Sequence, residues 1–226
     1  MNSRLVDLWM TVLAPHQGIG VAVFLHFAIL FLALCRVSWR QLCTTPRWHV
    51  FLGSTVSLLV LWSIRTHLGL GTEFHLLGIT AVTLVLGWPL TVVAASLAQL
   101  GLTLNAAASW NIFSLEVVIN GVVPIVVTEL IHRLARRKLP AHFFVYIFVG
   151  AFLGGALAMV MSRLSLAAYA LASGGANGSA ALSALAYLPL MALPEALLNG
   201  MLVTLLVTYR PQWVSTFDDA GYLQGK

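Results

Sequence analysis

The chain has 226 residues, of which 60% are hydrophobic and only 8% charged, and its mean hydropathy is +0.93. A water-soluble domain carries about a quarter charged residues, so this composition excludes a soluble globular protein and indicates a polytopic membrane protein. The net charge of +5 does not indicate nucleic acid, because the basic residues gather in particular connections, as topology signals do.

The opening stretch, MNSRLVDLWMTVLAP, lacks the pattern of a secretory leader: Asp7 interrupts its apolar part and no small-residue cleavage site follows. At roughly 20 residues per span, apolar runs predict helices near residues 17–35, 49–64, 110–131, 142–161 and 181–209. Cys35 and Cys43, eight apart at the end of the first run, suit neither a disulfide framework nor a CxxC metal site. Region 74–103 is too long for one ordinary span and short for two. LGWPL, with Gly87 and Pro89, breaks it in the middle, and proline within a helix removes a hydrogen bond and crowds the preceding turn.

Charge resolves that region. Read as two short helices joined by a tight turn at Gly87–Pro89, the chain crosses seven times. With the N-terminus outside, the inner segments hold Arg36, Arg40, Arg47, Arg133, Arg136, Arg137, Lys138, Arg210 and Lys226, nine in all. The outer segments hold three, Arg4, Arg65 and Arg163, and the bias obeys the positive-inside rule. A single kinked span would put HRLARRK outside and erase it. The expectation is an all-α bundle of seven transmembrane helices, N-terminus out and C-terminus in, in the bacterial inner membrane. It forms one integral membrane domain over residues 1–226, with an outer segment at 1–16 and a cytoplasmic tail at 211–226. Half-length helices cannot each cross a lipid core of about 30 Å while facing lipid, but they are tolerated inside a bundle or along a cavity. The 74–103 hairpin therefore belongs in the interior, with His75 at its outer mouth. Gly150 and Gly154 form a GxxxG pair, joined by Gly155, for close helix packing. ASGGANGS, 172–179, reads as a flexible external loop; internal repeats and a soluble domain are not evident.

Four residues with ligating side chains collect on the outer side: His16, His67, Glu73 and His75, with Asn105 and Asn111 nearby. Imidazoles with a carboxylate suit a borderline divalent ion such as Co, Ni, Zn or Cu, although the same residues also suit an ordinary membrane–water interface. Glu195 falls in the middle of the last span, just after Pro194. A carboxylate there costs about 2.5–3.5 kcal/mol on insertion scales and faces the bundle interior, either to bind or relay a cation or to hydrogen-bond neighbouring helices. Glu116 and Asn120, four apart, are expected on one helix face, lining a cavity or path with Asn111 and Glu195, or pairing with another helix. Glu129 and Arg133, also four apart, predict a local salt bridge. Glu129-x-x-His132 is a single copy of a di-iron element that needs two. Met159 and Met161 point apart on a helix, which favours packing over Cu(I) binding. In RLARRKLP, 133–140, Arg133, Arg136, Arg137 and Lys138 are a topology signal that could also dock a partner or meet anionic headgroups. HExxH and GxSxG are absent, and neither Lys138 nor Lys226 completes a Walker A loop. The chain thus reads as no enzyme, and any uphill transport draws its energy from a gradient or a partner.

FHLLGITAVTLVLGWPLTVV resembles the signature of the CbiM/NikM-type membrane subunits of energy-coupling-factor cobalt/nickel ABC transporters: a His-Leu-Leu-Gly opening, a small-residue helix, a Gly-Pro break and a second short helix. LNAAASWNIFSLEVVINGVVP is similar to the family's Asn-containing stretch, and PEALLNGMLVTLLVTYRPQW to its last helix. The resemblance covers roughly residues 70–215, most strongly 74–93. It implies a substrate-binding subunit for a divalent transition metal, with no cofactor of its own. It also implies a transmembrane coupling protein and cytoplasmic ATPases as partners, membrane lipid around it, and no nucleic acid. His75 would be a metal ligand. The family begins Met-His and uses that imidazole with the terminal amine, whereas this chain begins Met1-Asn2. His67, His16 or Glu73 is then expected to substitute; tetrahedral ligation would favour zinc, a planar nitrogen-rich site nickel or copper. A helix N-terminus near residue 75 disfavours a cation, which raises the value of Glu73. The alternative is a non-transporting accessory or assembly protein that keeps the same fold.

Overall fold

A computed structural model describes residues 14–44, 47–67, 73–105, 107–173, 182–183 and 185–217. Eight helices account for nearly all of them: α1 (Ala14–Arg36), α2 (Trp39–Thr44), α3 (Arg47–Ser63), α4 (Ile79–Leu86), α5 (Trp88–Leu104), α6 (Trp110–Lys138), α7 (Phe143–Ala172) and α8 (Leu188–Tyr209). The departure from all-α structure is a ribbon of two-residue strands, β1 (Thr66–His67) and β2 (Glu73–Phe74). The strands are antiparallel, with Thr66 opposite Phe74 and His67 opposite Glu73. By length and composition α6, α7, α8 and the Gly18–Arg36 part of α1 are each able to cross a membrane. With α2 lying short between α1 and α3, the remaining seven helices form the bundle expected from the sequence.

The break at 87–89 folds as a hairpin for identifiable reasons. Gly87 has φ 80° and ψ 158°, a conformation few side chains tolerate, and its N–H closes α4 on Thr83 O at 2.9 Å. Pro89 sits in the first turn of α5, where its missing N–H costs nothing. The hairpin is unequal, however. α5 has 17 residues and spans about 26 Å, while α4 has eight and spans about 12 Å, so only α4 is of half length. The chain reaches α4 through a stretch without regular secondary structure, 75–78, that runs inside the bundle. Every residue of α4 from Ile79 to Val85 is buried, the burial expected of a helix apolar on all sides. Thr80 meets Thr128 of α6, hydroxyl to hydroxyl, at 2.8 Å. The segment after α8 closes the far end: Ser215 N–H donates to Val85 O at 2.9 Å and Thr216 Oγ1 to Leu84 O at 2.7 Å.

These contacts gather the end of α1, the start of α3, the α4–α5 turn and the end of α8 at one pole. Tyr146, near the start of α7, joins them through Thr216 at 2.7 Å. Arg36, Arg40, Arg47, Arg133, Arg136, Arg137, Lys138 and Arg210 all lie there, and Arg65 lies at the opposite pole. That distribution marks the first pole as cytoplasmic. Large apolar side chains such as Phe24, Leu190 and Met201 are exposed around the bundle, as a lipid-facing surface requires.

Several boundaries differ from expectation. α7 runs to Ala172 rather than ending near 161, so Arg163 is no external charge: it is 8% exposed, inside the bundle. Arg133, Arg136, Arg137 and Lys138 form the last turns of α6 rather than a loop. α8 begins at Leu188 rather than 181. In the glycine pair, Gly150 faces open space, and the close approaches are made by Gly154 against Thr80 and Gly155 against Asn199. Residues 1–13, 174–181 and 218–226, which include most of the glycine-rich loop, lie outside the described residues.

Candidate functional site

His75 stands on the stretch between β2 and α4 and is 6% exposed. Its Nδ1 is 3.3 Å from the Leu76 carbonyl, and its ring leans on Trp62 with 6.1 Å between centroids. Trp62 Nε1 donates to Leu77 O at 2.9 Å, so the same tryptophan packs the imidazole and ties down the backbone beyond it. With the Nδ1 proton on Leu76 O, the lone pair is left on Nε2, the arrangement a metal-ligating histidine adopts.

The stretch keeps its shape because α8 supplies the hydrogen bonds it lacks. The first amides of any helix have no partner within the helix, and a buried amide left unpaired costs about 1–3 kcal/mol. Glu195 Oε2 accepts from Leu77 N–H at 2.7 Å, and Oε1 accepts from Gly78 N–H at 2.8 Å. Asn199, one turn on, accepts from Ala81 N–H at 2.7 Å and donates to Glu195 Oε1 at 2.7 Å. Both Glu195 and Asn199 are fully buried. A carboxylate facing donors only, at the positive end of a helix, is favourably placed. A cation seated on these oxygens would have to displace the amides. Gly78, at φ 64°, turns the chain into α4, and a Cβ there would lie 2.7 Å from a Leu61 methyl.

Arg163 forms a second buried polar group. Its Nη2 donates to Asn120 Oδ1 at 2.7 Å and to Ser162 Oγ at 3.3 Å, while its Nε has no hydrogen-bond partner among the described residues. Asn120 reaches α7 from a π-helical turn, Val118–Val122, inside α6. Glu116 and Asn120 meet different helices: Glu116 accepts from Gln99 of α5 and pairs with Arg65 at 3.9 Å, whereas Asn120 faces α7. Asn111 is exposed in the 3-10 turn that opens α6. Arg133 meets Glu129 at 2.8 Å, and Arg136, Arg137 and Lys138 are exposed at the cytoplasmic pole. Met159 is buried and Met161 exposed, pointing apart.

Of the other candidate ligands, the ribbon sets positions 67 and 73 opposite one another immediately before His75, and position 16 lies in the first turn of α1. The side chains of His16, His67 and Glu73, like Met1 and Asn2, lie outside the described residues. Among the described residues no three His, Cys, Asp or Glu side chains converge on a point where a metal could sit. Sequence reasoning missed Asn199 and His26. Asn199 stands four residues after Glu195 in PEALLNG, a spacing that places both on one helix face. His26, in α1, is buried between Ser114 Oγ at 3.2 Å and Ser96 Oγ at 3.1 Å; no local pattern signals it.

The family model for the cobalt uptake substrate-specific transmembrane region, CbiM, matches residues 12–213. No curated protein and no solved structure matches the chain.

Proposed function

The chain belongs to the CbiM family of cobalt uptake substrate-specific transmembrane regions, and from that membership we propose that it captures a divalent transition-metal ion at the outer face for an energy-coupling-factor-type transporter. It is a multi-pass membrane component of cobalt uptake, a transport protein rather than an enzyme. The observation that carries the finer reading is His75: a buried imidazole at the outer mouth of the hairpin, on a stretch of backbone clamped by Glu195 and Asn199.

In this reading the ion is the substrate, Co, Ni, Zn or Cu. His75 is one ligand, and His67, Glu73 and His16 are the candidates for the others. Glu195 positions the His75 stretch rather than handing the ion on, and Asn120 anchors Arg163. Energy comes from partners, a transmembrane coupling protein and cytoplasmic ATPases, for which the exposed Arg133, Arg136, Arg137 and Lys138 at the cytoplasmic end of α6 offer a docking face.

The test is elemental analysis of the purified protein after exposure to each of the four ions, beside a His75→Ala variant. Near-stoichiometric retention of one ion, lost in the variant, is expected. Retention unchanged by the substitution would remove His75 from the site, and no retention of any ion would sink the capture role.

A further inference from the structure

The cytoplasmic pole carries a feature that ion capture does not use. Between the end of α1, the start of α3 and the α4–α5 turn lies a cavity of about 580 Å³, within the range that small ligands occupy. Val37, Leu42, Leu86 and Leu90 give it an apolar lining, and Arg36 and Arg47 line it beside them. Among the described residues no carboxylate lines it. Neither arginine has a hydrogen-bond or ion-pair partner among the described residues. Arg47 also borders a second hollow of about 360 Å³ beside Pro211 and Phe217.

Depth in the membrane is marked independently of charge. Trp39, Trp48 and Trp88 are the immediate sequence neighbours of the lining residues Ser38, Arg47 and Pro89. Tryptophan collects at the headgroup level, where an amphipathic ring meets both phases. The cavity thus opens at the depth where phosphates of the inner leaflet lie. Two positive charges beside an apolar lining complement a ligand with an anionic head and an apolar stem, and basic pockets between helices on this side of a membrane bind such headgroups.

We propose that the cavity walled by Arg36 and Arg47 binds the phosphate headgroup of an anionic inner-leaflet phospholipid. The lipid would bridge the α1–α3 connection and the Gly87–Pro89 turn, both of which line the cavity.

Native mass spectrometry of the full-length protein tests this, titrating phosphatidylglycerol against phosphatidylcholine of the same acyl chains. Each basic residue at an anionic surface contributes about a fivefold preference, so two give roughly thirtyfold for phosphatidylglycerol in the unaltered protein. Arg47→Gln should reduce the preference to about fivefold. Arg40→Gln, in the same connection but outside the cavity wall, should leave it unchanged. Leu90→Trp crowds the cavity while keeping every charge, and should weaken the preference; if that variant does not fold, Arg47→Gln decides. Equal retention of the two lipids, a preference untouched by Arg47→Gln, or displacement of the lipid by millimolar inorganic phosphate would overturn the proposal.

Discussion

The Glu195 carboxylate and the Gly78 amide meet at 2.8 Å although 117 positions separate them in the chain. With the Leu77 amide on its other oxygen, Glu195 acts as the N-terminal cap of a helix to which it does not belong. Helices usually take their cap from the residue just before them; the residue before α4 is Gly78, which has no side chain to offer. Removing the carboxylate therefore strands two buried amides and frees Asn199 from one partner. Glu195→Ala should destabilise the protein by about 3 kcal/mol or more, and Glu195→Gln, which keeps one acceptor, by less. Unfolding in a detergent titration reads this. A loss below about half a kilocalorie for Glu195→Ala, the level of a surface substitution, would contradict the capping role.

The glycines of α7 should separate sharply. A Cβ on Gly155 would lie 3.0 Å from Asn199 Nδ2, and a Cβ on Gly150 meets nothing within 4 Å. Gly155→Ala pushes Asn199 off the Ala81 amide and should cost about 1–3 kcal/mol. Gly150→Ala should be neutral or stabilising by up to about 1 kcal/mol through helix propensity. Equal effects at the two positions would show that the α7–α8 contact is not where it is described.

At Gly78 two penalties coincide, a left-handed backbone and a neighbouring methyl at 2.7 Å from a Cβ. Gly78→Ala should lose about 1–2 kcal/mol from the backbone alone, and more from the contact with Leu61. Combining it with Leu61→Ala should recover the contact part and leave the backbone part. A double variant whose losses simply add would mean that the contact contributes nothing.

Arg163 and Asn120 should be coupled. Their bond at 2.7 Å joins a buried charged donor to a partly buried amide, a type worth about 1.5–3 kcal/mol. A double-mutant cycle with Arg163→Met and Asn120→Ala should give an interaction energy of at least about 1 kcal/mol. Additive losses would indicate that Arg163 is held elsewhere.

Sidedness has a direct check. In a background lacking Cys35 and Cys43, a cysteine at position 137 should react with an impermeant maleimide only from the cytoplasmic side, and one at position 111 only from outside. The reverse pattern would invert the bundle.

What the sequence disclosed followed from physics that is local or global but not in between. The seven-helix count came from apolar length and the placement of basic residues, and the hairpin turn from Gly87 and Pro89, whose backbone limits are intrinsic. The interior position of Glu195 followed from the cost of a carboxylate in lipid. Arg163 was misplaced because a charge after an apolar run reads as the end of a span. Its tolerance inside depends on Asn120, which reaches it from a π-turn that no periodicity announces. Glu116 and Asn120 each pair with another helix, one of the two roles their spacing suggested, and the partner helices differ. The clamp by Asn199 and the approach to α4 depend on partners more than a hundred positions away.

Helix α4 is fastened at both ends, to α8 by Glu195 and Asn199 at its start and to the segment that follows α8 by Ser215 and Thr216 at its finish. A short rod pinned at both ends has little freedom to slide or pivot independently. It makes a strut about 12 Å long, with one end at the cytoplasmic pole and the other leading into the backbone that carries His75. A shove delivered to the tail at Ser215 would arrive beneath the imidazole without any helix having to bend or unwind.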